Sequence, residues 1–244
     1  LHTVPLRQGA AFVEDEDFLA AWTPEVGLAL LTWVSSTSSH RIDLDAMVAH
    51  GRSMGSLIGC DITQAAGLIP YDVTAPAVDF AISTSLKWMC GTPGAGVLYV
   101  APALIATAQP EPRGWFSQDN PFSWDINAFA YAPDIRRFDN GTLGTIAALA
   151  SLPALDWHAR QDHAALLAHN RRLTARLIAA ADEATRQFGV GPGAVRFIDG
   201  TFAPHAALEE RIARFVGKPA AKIFNSAYTA NCGLALAISS ATTY

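Results

Sequence analysis

LIGCDITQAAGLIPYDVTAPAVDFAISTSLKWMCGTPGAGVLYV, residues 57–100, reads as strand, crossing, strand, glycine turn, strand. Residues 57–60 form a short apolar run that ends on Asp61. Residues 78–83 (VDFAIS) form a second, closed by Ser83, Thr84 and Ser85, with Lys87 two residues further on. Residues 97–100 (VLYV) form a third, entered through Gly91, Pro93, Gly94 and Gly96. Short apolar runs bounded by turn residues predict strands buried on both faces of an α/β sheet. Reactive groups in such sheets gather at the carboxyl ends of the strands. Those ends here carry one acid, Asp61, and one amine, Lys87.

A lysine among small hydroxyl residues, followed by the apolar Trp88 and Met89, is a candidate for a lowered pKa, because desolvation disfavours the ammonium form. A neutral amine can then form a Schiff base with a carbonyl. A carboxylate at the end of the neighbouring strand suits a pyridoxal phosphate ring, whose pyridine nitrogen it holds protonated so that the ring can act as an electron sink. The spacing alone fits a surface lysine and a helix-capping Asp equally well.

The residues between these two add a pattern: Asp61-x-x-Gln64-x-x-Gly67-x-x-Pro70-x-Asp72-Val73, then Val78-Asp79-Phe80, then Ser83-x-Ser85-x-Lys87-Trp88 and Gly91-x-x-Gly94-x-Gly96-x-Leu98-Tyr99-Val100. This resembles the class V aminotransferase group of pyridoxal phosphate enzymes, its kynureninase-like and epimerase-like branch most of all. The resemblance implies that Lys87 carries the cofactor, that Asp61 pairs with the pyridinium and that Gln64 contacts the ring hydroxyl, with Ser83 and Ser85 beside them in the cofactor-binding set. The residue before the lysine is often His or Tyr in that group. Here it is Leu86, so a phosphate or acid–base contact is expected to be missing.

Composition narrows the setting. A chain of 244 residues, half of them hydrophobic, can bury a full core in one or two domains. A formal net charge of −5 and the lack of a Lys/Arg stripe argue against a nucleic-acid surface. Cys60, Cys90 and Cys232 show no metal-ligand spacing, which predicts reduced thiols in a cytoplasmic protein. No apolar run reaches membrane-spanning length. The opening LHTVPLRQGA lacks an initiator Met, so the chain is expected to be a fragment or a processed form.

Upstream, residues 15–22 (DEDFLAAW) suit an amphipathic helix and residues 28–34 (LALLTWV) a strand. The strand leads into Ser35-Ser36-Thr37-Ser38-Ser39-His40, which either lines the site, as the resemblance implies, or is a solvated loop. Asp43 is the expected N-cap of a helix over residues 43–51. Downstream, residues 114–125 (GWFSQDNPFSWD) form an irregular loop whose aromatics call for a ligand or a second subunit to pack on. Arg136-Arg137-Phe138-Asp139-Asn140-Gly141-Thr142 follows, then a helix from Thr145 that is kinked or stopped near Pro153. Class V relatives carry a comparable Gly-Trp loop and Gly-Thr pair, and there the pair reaches the cofactor phosphate of the neighbouring subunit. Gly141 and Thr142 inherit that role, and a homodimer with it; as plain geometry the pair is equally a helix N-cap.

Beyond residue 178 a different pattern begins. Residues 188–201 (FGVGPGAVRFIDGT), His205, Leu208-Glu209, Gly217-Lys218-Pro219-Ala220-Ala221 and Asn225-Ser226-Ala227-Tyr228-x-Ala230-Asn231 resemble the early part of the α-oxoamine synthases, acyl-CoA-using pyridoxal phosphate enzymes, most closely autoinducer-synthase-type members. In that family this segment precedes the lysine, whereas here it follows Lys87. Two segments are therefore expected, residues 1–178 and 179–244, in a large-domain α/β fold that is incomplete or permuted. The small domain with its substrate-carboxylate arginine, and the residue that stacks on the ring, have no recognisable counterpart; the chain ends at Tyr244, short of where the second family would place a stacking His. Asn225 to Asn231 at the start of an apolar helix could cradle a phosphate for Lys87, against which stand a junction artefact, a gene fusion or a truncated enzyme.

Other candidates lead away from chemistry. His158, His163 and His169 are expected on a solvated helix face with Arg160, Arg171 and Arg172; His2 and His50 have no partners at ligand spacing. Gly51-Arg52-Ser53-Met54-Gly55 matches a nucleophile-elbow pattern, but between helix and strand, the reverse of what an elbow needs. Three functions remain: a pyridoxal phosphate enzyme acting on an amino acid by transamination, racemisation or β-elimination through Lys87; an α-oxoamine synthase joining an acyl-CoA to an amino acid; or a non-catalytic fragment that needs a partner chain.

Overall fold

A four-stranded sheet holds the first part of the chain, in the spatial order β1-β2-β3-β4: β1 (Leu28–Thr32), β2 (Leu57–Asp61), β3 (Phe80–Thr84) and β4 (Gly96–Val100). β1, β2 and β3 run parallel, with Leu28 opposite Leu57 and Gly59 opposite Phe80; β4 turns back antiparallel, Phe80 opposite Val100. The fold is thus α/β with a mostly parallel sheet. The computed structural model describes residues 3–241 except 126, 143 and 192–195. His2, residues 192–195 of the second resembling segment and the closing Tyr244 lie outside that set.

Helix α2 (Leu44–Met54) forms the crossover from β1 to β2. Asp43 caps it as expected, accepting from the amide of Ala46 at 3.0 Å, and Gly55 ends it in the left-handed region (φ 79°). Gly51 needs to be glycine, since a Cβ there would come within 2.5 Å of the Trp22 ring and 2.9 Å of Ile58. Trp22, at the end of α1 (Asp15–Ala21), joins Leu31, Leu44, Met47, Val48, Ile58, Cys60, Val78 and Ala81 in the core. From the last turn of α2, Arg52 reaches Asp79 at 2.7 Å, and the same carboxylate oxygen accepts from the amide of Ile58 at 2.6 Å. That clip fixes the entry to β3.

The strands are buried on one face only, which corrects the expectation of a double-sided core. Strand alternation places Ala29, Leu31, Ile58 and Cys60 toward α2, and Leu28, Leu30 and Leu57 on the opposite face. Those three are 55, 56 and 42% exposed, because no helix of the described residues covers them.

The chain continues through α3 (Pro102–Thr107), the single 3-10 turns Trp115–Ser117 and Ile135–Phe138, α4 (Thr145–Ala159) and α5 (His163–Phe188). Pro153 does not stop α4, which runs on to Ala159; it forfeits one bond, to the carbonyl of Leu149, a residue that is 63% exposed. Gly144, not Gly141 or Thr142, is the N-cap of α4. The helical stretch breaks at residues 160–162, where Asp162 accepts from the amide of Ala165 at 3.0 Å.

Two compact units emerge, Leu1–Arg176 and Leu177–Tyr244. In the second, α6 (Arg196–Asp199) and α7 (Ala203–Phe215) are tied by Glu209, and α8 (Ala227–Ala241) follows. The Glu209 carboxylate accepts from Arg196 at 2.8 Å and from the amide of Ile223 at 3.2 Å, with Lys222 at 3.2 Å, and the Arg196 hydrogen bond leads in pulling its pKa down to about 2. At the start of α8, Ser226 and Thr229 cap each other: the Thr229 amide donates to Ser226 Oγ and the Ser226 amide to Thr229 Oγ1, both at 3.1 Å.

Candidate active site

Asp61 is the last residue of β2 and lies opposite Ile82 of β3, two residues before that strand ends at Thr84. Its Oδ1 accepts from the amide of Thr63 at 2.9 Å; Oδ2 has no hydrogen-bond partner among the described residues. The chain then coils through Gln64 to Gly67, with the amides of Ala65 and Ala66 bonded to the carbonyl of Ile62. Thr63 Oγ1 accepts from the amide of Thr84 at 3.3 Å, so the ends of β2 and β3 are tied directly.

Lys87 sits three residues past β3 on a tight loop. The amide of Gly91 donates to Ser85 O at 2.7 Å and that of Cys90 to Lys87 O at 2.9 Å. Ser85 is buried beneath the loop, its hydroxyl donating to the carbonyls of Thr92 (2.8 Å) and Ala95 (3.1 Å). Ser83, also buried, donates to Thr84 O at 3.0 Å. Both serines brace the loop. Lys87 is exposed, and its Nζ makes no hydrogen bond or ion pair among the described residues. Of the apolar neighbours expected to desolvate it, Trp88 is itself 46% exposed and Met89 only half-buried.

The two loops pack together at Gly67. Its φ is +97°, and a Cβ would lie 2.6 Å from Trp88 O and 2.9 Å from the amide of Met89. Only glycine lets the Asp61–Gln64 turn close on the Lys87 loop. A free carboxylate oxygen and an unengaged amine, held on adjoining loops at neighbouring strand ends, form a donor set that fits an aldehyde cofactor with a basic ring nitrogen.

Several residues escaped the sequence reading. His158, expected on a solvated face, is buried, and its Nε2 lies 3.0 Å from Trp88 O. Ser151 accepts from the amide of Thr92 at 3.0 Å. Both lie on α4, seven residues apart and so on one helix face, a spacing that would have marked them had their partner been known. Cys60, next to Asp61, is fully buried, and burial pushes its thiol up to about 11; Tyr71, whose hydroxyl faces it without reaching a hydrogen-bond geometry, is also pushed up by burial. Neither is poised as a nucleophile. Ser53 donates to His50 O inside α2, so no elbow serine exists there. The hydroxyl loop after β1 lines a recess of about 400 Å³ with Thr32, Ser35, Thr37, Ser38 and His40; its lining includes neither Asp61 nor Lys87.

Gly141 lies against Gly114, where a Cβ would come within 2.5 Å of the Gly141 amide. Thr142 is exposed. Of the loop aromatics, Trp115 and Trp124 meet edge to face at 5.4 Å, yet they remain 61 and 75% exposed. Among the described residues no group of acidic, His or Cys side chains could hold a metal ion, and no helix is long and apolar enough to cross a membrane.

A family profile described as aminotransferase class-V matches residues 2–189. The chain is 34% identical over 154 residues to a kynureninase of Deinococcus radiodurans, covering 63% of this chain and 37% of that protein. It is 51% identical over 72 residues to an 8-amino-7-oxononanoate synthase of Methylorubrum populi, covering 30% of this chain and 18% of that one. Among solved structures, the apo cysteine desulfurase of Thermococcus onnurineus NA1 shares the fold, with a TM-score of 0.62 at 18% identity over 71% of this chain and 42% of that one. The chain spans less than half the length of each of these three.

Proposed function

The chain belongs to the class V aminotransferase family, a group of pyridoxal-phosphate-dependent enzymes, and from that premise we propose that it acts on an amino acid by transamination, racemisation or β-elimination, with Lys87 as the covalent anchor of the cofactor. The observation that carries this is the junction at Gly67, which brings the Asp61 turn and the Lys87 loop into backbone contact. When bound, pyridoxal phosphate supplies an electron sink for the bonds of a substrate's α-carbon. The chain's own residues have the remaining tasks. Asp61 holds the proton on the ring nitrogen through its charge, an opposite charge nearby favouring the charged form. Gln64 orients the ring through its hydroxyl. The Lys87 amine would hold the cofactor, and the same side chain would carry a proton to or from the substrate. Ser83 and Ser85 serve the cofactor by shaping the loop beneath it, and Gly141 and Thr142 receive the phosphate across a subunit boundary in a homodimer.

A second reading, condensation of an acyl thioester with an amino acid, is favoured by the 51% identity to an 8-amino-7-oxononanoate synthase. It goes with assigning residues 1–178 to one family segment and 179–244 to another, a division the two compact units support. The free cysteines support a cytoplasmic setting.

Reduction with borohydride in the presence of pyridoxal phosphate, followed by peptide mapping, tests the anchor. The chain has three lysines, Lys87, Lys218 and Lys222, and the label is expected on Lys87; a label on Lys218 or Lys222 overturns the assignment. Turnover that requires an acyl-CoA favours the second reading. Purified protein that takes up no cofactor until a second chain is added makes this a partner-dependent fragment.

A further inference from the structure

We propose that α4 is the positioning element for Lys87, with His158 and Ser151 as the two residues that hold the lysine loop in shape; this rests on the reading of Lys87 as cofactor anchor. Residues 85–92 are a strained loop. Cys90 occupies the left-handed region at φ 57°, unusual for a residue with a Cβ. Such strain persists where the surroundings over-determine it, and the surroundings here are α4. His158 approaches Trp88 O at 3.0 Å, so its Nε2 is the donor, and the ring is buried, stacked on His163 at 5.6 Å and met edge-on by Trp157 at 4.9 Å. Its Nδ1 is buried with no hydrogen-bond partner among the described residues. A buried ring with one nitrogen unsatisfied holds its place through the other, which makes the bond to Trp88 the reason for its orientation.

Two turns earlier, Ser151 is 2% exposed, accepts from the Thr92 amide at 3.0 Å and lies 3.5 Å from Ser85 Oγ. Thr92 Oγ1 donates to Ala147 O at 2.8 Å. A Cβ on Gly91 would lie 2.8 Å from Ser151 Oγ and 2.7 Å from Ser85 Cβ, so the loop touches the helix at glycine. One helix face therefore grips the loop on both sides of Cys90, at Trp88 and at Thr92, while Gly67 closes on Trp88 O from the Asp61 side. Lys87 directly precedes the gripped segment, and the position of its backbone relative to the Asp61 turn is set through α4.

The test uses the full chain. His158→Phe keeps the ring's bulk but cannot donate, whereas His158→Gln returns a donor near Nε2. Deuterium exchange without cofactor should quicken at the Cys90 and Gly91 amides by roughly 5- to 30-fold in the Phe variant, as a lost buried hydrogen bond eases local opening. The Gln variant should exchange like wild type. Reductive labelling by pyridoxal phosphate, read as the ratio of labelled to unlabelled Lys87 peptide, should fall in the Phe variant and recover in the Gln variant. Should the Phe variant not fold, Ser151→Ala is read by the same two signals with the same expectation of faster exchange and a lower ratio. Unchanged exchange overturns the grip. Faster exchange with an unchanged Lys87 ratio overturns the positioning role alone, and wild-type protein that takes no label at Lys87 overturns the anchor and this proposal with it.

Discussion

Asp61 can serve in two capacities, and its oxygens divide between them. Oδ1 caps the turn by accepting from Thr63. Oδ2 is left over, on the open face of the sheet with Leu30 and Leu57 by strand alternation. Asn at position 61 keeps the capping oxygen and nearly the same volume but loses the charge, so Asp61→Asn separates the two. The variant should fold normally and lose activity by roughly 10² or more, the scale of a lost electrostatic contact in the transition state. Thermal unfolding and turnover measured on the same preparation check this, and an active variant would reduce Asp61 to a cap. The neighbouring Cys60 offers a contrast in how position decides chemistry. One residue earlier on the same strand, its side chain points into the core, and burial holds the thiol protonated with a pKa of about 11.

Gly67 is where two elements meet, and its requirement is doubly set: a left-handed φ and a carbonyl 2.6 Å from where a Cβ would stand. Gly67→Ala should cost about 1–3 kcal/mol from the backbone alone. It should also push the Lys87 loop away from Asp61, so that cofactor retention falls further than stability does; a melt and a cofactor titration compare the two. In the second unit, Glu209 links α7 to Arg196 and Ile223. Its folded-state pKa lies below its ordinary value of 4.5, at about 2. The unfolded chain therefore takes up the proton first, so this tie contributes fully above about pH 4.5 and is lost as pH falls toward 2. Exchange across residues 203–225 should quicken over that window, and Glu209→Gln should flatten the dependence. The strands, α2 with its Asp43 cap, and the acid and amine at neighbouring strand ends were legible because turn residues and capping chemistry are local. What was hidden is non-local. His158 meets Trp88 across 70 residues, and nothing near His158 in sequence announces a buried carbonyl. Pro153 marked a kink or a stop because the local pattern cannot reveal that α4 continues through it to Ala159. The one-sided sheet was missed because an apolar run looks the same whether one face or both are covered.

At the scale of the whole molecule, the sheet and the loop beyond α3 are among the places where the described residues leave apolar surface exposed. The sheet shows Leu28, Leu30 and Leu57 on one face, and the loop beyond α3 shows Trp115, Phe122 and Trp124, with Phe122 72% exposed. Single exposed apolar residues are ordinary, but contiguous patches mark surfaces that another body covers. Trp is among the residues that dominate interface energies, and the loop pairs two of them edge to face at 5.4 Å before any partner arrives. The same loop sets the backbone of Gly114 against Gly141, so whatever docks on the tryptophans also orders the Gly-Thr pair proposed to receive the phosphate. Assembly and cofactor binding should then be linked: a partner that binds only the folded, cofactor-competent form raises its population by mass action. We expect a homodimer or larger assembly, burying roughly 800 Å² per partner at a standard interface, and cofactor retention that declines as the protein is diluted. Trp124→Ser should shift the dissociation to higher concentration and weaken cofactor retention in parallel, without lowering the melting temperature of the dissociated protein. Light scattering and cofactor absorbance followed through one dilution series read both. A monomer that keeps its cofactor at nanomolar concentration would show that the tryptophans serve some other partner and that a single chain completes the phosphate site.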